Sequence, residues 1–353
     1  MRKKEIPKAN GKVRVLGIPT VADRIAQGAV KLHLESMIDP KFSADSYGYR
    51  PGKSAHDALE VTRRRVWKKG WLVELDIEAF FDNVNHELIL KALRFHEVPN
   101  WTILYCSRWL EADMVGDNGE SEQRTKGTPQ GGVISPLLAN LFLHHGMDEW
   151  LLKYQPETPF ARYADDAVLH CRSKSQAQKV IAGLAMRFEA IGLKLHPTKT
   201  KIVYVGRGIM PGENCEFTFL GYDFKRRVLR DKRGKLFLRT YPGAAKSAMK
   251  KMTQTIKGWK IQRSTGMTLK QLAQHYNTTL RGWINYYGKY WYRNFGYRLW
   301  SAFQSRLIKW MRGRYKISRR RAETKLGLIR KNEPSLFVHW YMLRKPEGYS
   351  RAV

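Results

Sequence analysis

Asp165 and Asp166 stand side by side between two short apolar runs in the stretch Phe160–His170. That pattern predicts a β-hairpin with two acids at its tip. Adjacent aspartates repel each other when partly dehydrated, unless a cation neutralises them. The pair could therefore gather a divalent metal. Asp is also a common turn residue, so the pair taken alone reads first as a polar turn. Its company decides. Asp76 closes the apolar run Trp71–Ile77, a poor place for an acid if stability were the only demand. Three aspartates at strand ends could hold two Mg²⁺ ions, which prefer carboxylate oxygens and keep sites for water and phosphate. Such a site activates an attacking 3′-hydroxyl and stabilises a leaving pyrophosphate. Lys8, Arg14 and Lys199 could supply positive charge around a triphosphate. No Walker-type phosphate loop is present.

The elements that must position these groups are legible in outline. Residues 1–20 predict an exposed hairpin with its turn at Asn10-Gly11, a strong hairpin signal. The basic residues crowding that turn read equally as a solvated tip or a phosphate contact. Residues 21–38 predict an amphipathic helix, and a second helix runs from about Ser54 to Trp67. The loop between them, Ser46–Lys53, carries glycines and an arginine. Asn85 is the expected N-cap of a helix through Leu93. Asp82 reads as a turn or cap residue. In the glycine-bearing loop before Pro136, Ser135 is the expected N-cap and Pro136 the first helical residue of a helix through Leu143. Its glycines let backbone approach a ligand closely. A helix over Ser175–Ile191, a strand over Ile202–Val205 and a strand pair over Phe217–Phe224 complete this part.

The 353 residues carry a formal net charge of +33. Such an excess repels itself unless a polyanion is near, which predicts a nucleic-acid partner held through phosphates. No apolar run approaches the roughly 20 residues of a membrane helix, so no membrane role is expected. No signal-peptide pattern follows Met1, and a cytoplasmic, bacterial location is expected, with an organelle left open. Cys106, Cys171 and Cys215 are odd in number and far apart. They predict neither a disulfide nor a cysteine-type zinc site, and Cys171 reads as a small strand residue.

From about Ala244 the chain turns to basic helices. Trp283, Tyr287 and Trp291 recur close to helical spacing, beside Tyr286 and Tyr290. Most of these rings read as bundle packing, a few as platforms for unpaired bases. Between Arg306 and Lys331, 11 residues are basic and only Glu323 is acidic. A solvated face rarely needs such one-sidedness, and phosphate binding accounts for it better.

In that order, the segments resemble the blocks of the group II intron-encoded reverse transcriptase (maturase) family. Ile6–Pro19 and Tyr47–Gly52 resemble two fingers blocks, and Asp76–Asp82 the palm block with the first metal ligand. Thr128–Gly131 through Pro136 resembles the nucleotide-pocket block, and Tyr163–Asp166 the catalytic box. Leu193–Lys201 and Phe219–Tyr222 resemble the last two blocks, the latter a primer grip. Seven blocks in order are far more specific than any one. The resemblance covers nearly the whole chain. It implies an α+β, right-hand polymerase with fingers and palm over 1–230, the palm sheet being antiparallel. An α-helical thumb, or maturase-specific domain X, follows over 231–312. A basic segment, 313–353, would hold any remnant of a DNA-binding region. Asp76, Asp165 and Asp166 would be catalytic and, with Ile77, would ligate two Mg²⁺ ions, Mn²⁺ being able to substitute. Lys8, Arg14, Gln130, Gly131 and Lys199 would bind the nucleotide, with Phe80 or Phe81 as the gate against a 2′-hydroxyl. Leu220 and Gly221 would grip the primer.

The implied partners are an RNA template, a DNA primer, dNTPs and group II intron RNA, whose splicing the protein would assist. Two departures stand out. The first fingers block begins within ten residues of Met1, where the family usually has an extension. The chain also ends at Val353 without the paired cysteines of the family's C-terminal endonuclease, so second-strand cleavage is not expected. The competing readings are a non-catalytic or decaying RNA-binding splicing factor, and a reverse transcriptase of a retron or defence locus. The resemblance to domain X argues against the last.

Overall fold

The computed structural model describes residues 1–7, 11, 13–208 and 210–343, which fold around two separate hydrophobic cores. One unit comprises Met1–Gly206 with Met210–Asn214, and the other holds the remaining described residues.

The first unit opens on strands β1 (Arg2–Pro7) and β2 (Val13–Ile18), antiparallel with Arg2 opposite Ile18. This is the expected hairpin. Lys8, Asn10 and Lys12 at its tip lie outside the described residues; Gly11 has φ +79°. Thr20 caps the helix Val21–Ile38 by accepting from Asp23 N–H, and the helix buries Gln27, Val30, Leu34 and Ile38 along one stripe. A Ser54–Asp57 capping box starts the helix Ala55–Val66. Strand β3 (Trp71–Leu75) is buried at four of its five positions. The short strands β4 (Met114–Val115) and β5 (Ser121–Glu122) extend the β1–β2 sheet. Strands β6 (Phe160–Tyr163), β7 (Asp166–Cys171) and β8 (Lys201–Tyr204) join β3 in the order β6-β7-β3-β8, every pair antiparallel. Helices Ser135–Leu143 and Lys174–Glu189 pack into the same core. Helix Ser135–Leu143 starts one residue earlier than expected. Ser135 is already helical and its hydroxyl makes no capping bond. Ile134 takes the cap position because its side chain is drawn into the core.

The second unit begins with β9 (Phe217–Phe219), β10 (Tyr222–Arg230) and β11 (Leu236–Ala244), in the order β11-β10-β9. Residue 230 therefore ends a strand inside this sheet. Helices Lys246–Gly258, Leu269–Tyr287, Tyr292–Tyr315, Arg319–Asn332 and Val338–Met342 follow. Trp283, Tyr287 and Trp291 stand close to helical spacing in the sequence. Yet the helix stops at Tyr287, and Trp291 starts a new one from a left-handed φ of +49°. The reason is packing: Trp291 faces the Arg227 guanidinium at 4.8 Å and Tyr290 is buried against Tyr222 and Tyr241. Trp283 stacks on Trp259, centroids 5.7 Å apart. Tyr290 is buried, and Trp283 and Tyr287 pack partly buried against the second core.

His170 in β7 is fully buried, and neither ring nitrogen has a hydrogen-bond partner. Burial pushes its imidazole down to about 3, and Arg65 and Lys69 push the same way. Burial likewise takes His339 down to about 3. Below about pH 6.5 the unfolded chain binds protons that these folded rings refuse. Stability is therefore full above that pH and falls as pH drops towards 3, by roughly 4 kcal/mol per ring at the limit. Melting temperatures measured from pH 7.5 to 4 should fall steadily below about pH 6, and His170→Leu should flatten the slope.

Candidate active site

The register of the first unit's central sheet gathers the three aspartates at one end. Leu75 pairs with Ala167, and Tyr163 pairs with Asp166 across the β6–β7 turn. One step past Leu75, Asp76 comes to the level of Asp166, with Asp165 in the turn beside them. Burial pushes the Asp165 carboxyl above its ordinary range. The neighbouring Asp76 raises it further, while its own backbone N–H, Arg14 and Arg162 pull it down. That is the electrostatics of a site short of positive charge. Asp76 is pinned through its main chain: its carbonyl accepts from His196 N–H at 2.8 Å and from Thr200 Oγ1 at 3.2 Å. Its carboxylate takes the Lys199 ammonium at 2.9 Å. Lys199 was expected beside a nucleotide, and here it supplies a cation to an aspartate. The all-oxygen donor set suits a hard divalent ion. Ile77 is buried in the core, so it can offer a metal only its carbonyl oxygen.

The pocket residues meet through backbone. Thr128 N–H donates to Phe81 O and Gly127 N–H to Val84 O, both at 2.7 Å. Gly17 N–H donates to Gln130 O at 3.0 Å, which docks the loop on β2. Gly131 has φ +125°, and a Cβ there would come within 2.9 Å of Gly17 O. The Gln130 amide reaches Asp82 Oδ1 at 3.3 Å. Phe80 is 2 % exposed and belongs to the core, whereas Phe81 is only partly buried. Arg14, on exposed β2, is close enough to act on Asp165. Lys8 lies outside the described residues. Leu220 and Gly221 form the β9–β10 turn of the second unit, with φ +49° and +74°. Tyr286 donates its hydroxyl to Leu220 O at 2.9 Å.

A buried network unread in the sequence supports the acidic turn. The Arg162 guanidinium grips Asp148 through two bonds, of 2.8 and 2.5 Å, with both side chains fully buried. Its Nη1 also donates to Asn140 Oδ1 and to Ala164 O. Asn140 in turn donates to Gly48 O at 2.7 Å. Ala164, at φ +57°, is the left-handed residue of the turn. The sequence carried one signal: Arg162 stands inside the apolar run Phe160–Ala164, and a buried charge needs a partner. Tyr49 was missed as well. Its ring lies 6.1 Å from that of Tyr163, and Asp165 helps raise its hydroxyl. Gly48 is packed so closely that a Cβ would sit 2.4 Å from Ala164 N and 2.9 Å from Tyr163 C. Gly48→Ala should displace the turn and lower any catalysis there by on the order of 10²-fold, read as kcat with folding checked by circular dichroism.

Residues 6–224 match the reverse transcriptase (RNA-dependent DNA polymerase) family, well over half of the chain. The chain belongs to that family. Residues 249–327 match the group II intron maturase-specific domain. The chain is thus of the RNA-directed DNA polymerase class with a maturase domain, as the order of its motifs implied. Protein YkfC of Escherichia coli K12 is 31 % identical over 268 residues, covering 65 % of this chain and 68 % of YkfC. Group II intron-encoded protein LtrA of Lactococcus lactis is 37 % identical over 166 residues, 45 % of this chain but 27 % of LtrA. The chain thus spans about a quarter of LtrA's length. Telomerase from Candida albicans, solved with a fragment of telomeric RNA, shares the fold with a TM-score of 0.51 at 12 % identity. That likeness covers 95 % of this chain and 62 % of the telomerase. The expected polymerase fold, mixed α and β with antiparallel sheets and a helical C-terminal region, is therefore borne out. Among the described residues no helix is long and apolar enough to cross a membrane.

Proposed function

We propose that this reverse transcriptase-family chain copies RNA into DNA at the Asp76–Asp165–Asp166 site. The observation that carries this reading is Asp165, partly dehydrated beside Asp76 and facing Arg14. The three aspartates and the Ile77 carbonyl would hold two Mg²⁺ ions, which supply charge neutralisation for nucleotidyl transfer. In that transfer the primer 3′-oxygen bonds to the α-phosphorus of a dNTP. The α–β bridging bond breaks, pyrophosphate leaves, and the hydroxyl proton passes to solvent. Arg14 would contact the triphosphate from β2. Lys199, freed from Asp76 when metal takes that carboxylate, would turn to the phosphates. Gln130 and Gly131 would line the base and sugar side. Leu220 and Gly221 would hold the primer strand through the main chain of their turn.

Burial separates the two phenylalanines. Phe80 fills the core, and Phe80→Ala should cost about 3–5 kcal/mol of stability. Phe81, half-buried over the loop that carries Gln130, is the gate against a 2′-hydroxyl. Phe81→Val should leave melting unchanged and raise ribonucleotide incorporation by on the order of 10²-fold, scored by alkaline cleavage of extended primers.

The maturase-specific domain supports a second role, binding intron RNA to assist splicing. Most basic residues of the last two long helices are exposed, among them Lys309, Arg312, Arg319, Arg320, Arg321 and Lys325, a surface suited to phosphates. The decisive experiment is primer extension on an RNA template with dNTPs and Mg²⁺, beside an Asp165→Ala/Asp166→Ala control. Extension lost only in the control supports the polymerase. A folded wild-type chain that binds RNA without extending would leave a non-catalytic splicing factor.

A further inference from the structure

The chain holds a second cluster of ligand-type side chains, separate from the three aspartates. Helix Ser135–Leu143 does not run straight into Glu149–Tyr154. His144–Asp148 forms a π turn between them. Consecutive α-helical residues point about 100° apart and cannot share a partner. In a π turn the bonds run i→i+5, and such turns occur mostly at functional sites. Residues four and five positions back then flank one side chain. Glu149 shows the result. Its Oε2 lies 2.6 Å from His145 Nδ1 and its Oε1 lies 3.5 Å from His144 Nε2. The three ligand atoms all fall within 4.8 Å of one another, the only such group of three His, Cys, Asp or Glu among the described residues.

We propose that His144 Nε2, His145 Nδ1 and Glu149 bind one divalent ion of the zinc class. Two imidazoles and a carboxylate suit Zn²⁺ and not Mg²⁺. Tetrahedral bonds of about 2.1 Å set ligand atoms roughly 3.4 Å apart, and the Glu149–His144 spacing of 3.5 Å already meets this. The far side of the His145 ring is furnished as a metal-bound imidazole requires: its Nε2 faces His96 Nε2 at 2.9 Å. His144 Nδ1 is buried without a hydrogen-bond partner, with Asp148 Oδ2 4.0 Å away. The fourth position opens on a cavity of about 540 Å³ lined by Lys41, Ser43, Phe95, His96 and Leu152, where water completes the shell. The ion would tie His96, which ends helix His86–Phe95, to the π turn that carries Asp148, the partner of Arg162.

The test is calorimetric titration of the chelator-stripped full chain with Zn²⁺ alone, in buffer containing excess Mg²⁺, with Co²⁺ absorption as a second readout. One ion per chain at a Kd below about 10 μM is expected, with the visible bands of a low-coordinate Co²⁺ site. Glu149→Gln and His145→Gln should each weaken binding by at least ~10-fold and His96→Gln by roughly 10-fold. Asp165→Asn should leave it intact. Glu149 is 49 % exposed, so Glu149→Gln is a folded test even where a buried variant is not. Wild-type affinity weaker than about 1 mM would overturn the site. So would affinity indifferent to Glu149→Gln and His145→Gln, or lost in Asp165→Asn.

Discussion

Asparagine at position 165 is expected to abolish primer extension, by at least ~10³-fold, and at the same time to raise the melting temperature of the metal-free protein. The two effects share one cause. Asp165 is partly dehydrated and sits beside Asp76, so burial and repulsion raise its carboxyl. A folded-state value above the unfolded one means that ionisation costs stability. The cost is relieved at low pH and is complete once pH exceeds the folded value. Asparagine keeps the shape and removes the charge. It would therefore relieve the repulsion that a bound metal ion would offset, and remove the proposed ligand for nucleotidyl transfer. Parallel assays of single-nucleotide incorporation and of melting without divalent ions check both halves. Lost synthesis with lowered melting would mean that Asp165 is a structural turn residue. Retained synthesis would remove it from the mechanism. Mg²⁺ should also raise wild-type melting in a concentration-dependent way and leave Asp165→Asn nearly unmoved.

Asp148→Ala is expected to cost about 3–5 kcal/mol, because it leaves the Arg162 guanidinium buried and unpaired. For a unit of this size that lowers melting by roughly 10 °C. The damage should reach the active site, since Arg162 also donates to Ala164 O in the turn that carries Asp165. An apolar pair separates the two contributions. Asp148→Leu/Arg162→Met removes both charges, and well-packed apolar replacements of buried ion pairs are often neutral in stability. The double variant should recover most of the melting temperature, yet stay at least ~10-fold down in kcat because the Arg162 bonds to Ala164 O and Asn140 Oδ1 are gone. Recovery of kcat along with stability would show that the pair serves folding alone. Asp148→Asn should fall between, keeping one hydrogen bond to the guanidinium but not its neutralising charge.

The candidate site residues were legible because they break local rules. Asp76 ends an apolar strand, Asp165 and Asp166 interrupt another, and Gly127 and Gly131 adopt φ values of +86° and +125° that other residues rarely take. The cap at Asn85 is a local hydrogen-bonding event and stands where the sequence placed it. Order along the chain then fixed the family. Other features depend on residues that meet only in space. Phe80 and Phe81 are chemically identical neighbours, and only the core beneath them makes one a packing residue and leaves the other at the pocket. Lys199 and Asp76 are 123 residues apart, and no local pattern announces their ion pair. Strand β10 carries five charged residues among nine and β11 opens on three consecutive apolar residues, so their pairing was not visible as alternation. The break after Tyr287 came from rings seeking partners across the second core, a tertiary demand that overrode helical spacing. The histidine and glutamate cluster needs a π turn, whose extra residue per turn follows from how the helix packs rather than from its composition. Sequence determines charge, capping, glycine conformation and the order of motifs, because each acts over a few residues. Burial and long-range pairing decide the rest, because they depend on which distant side chains the folded core brings together.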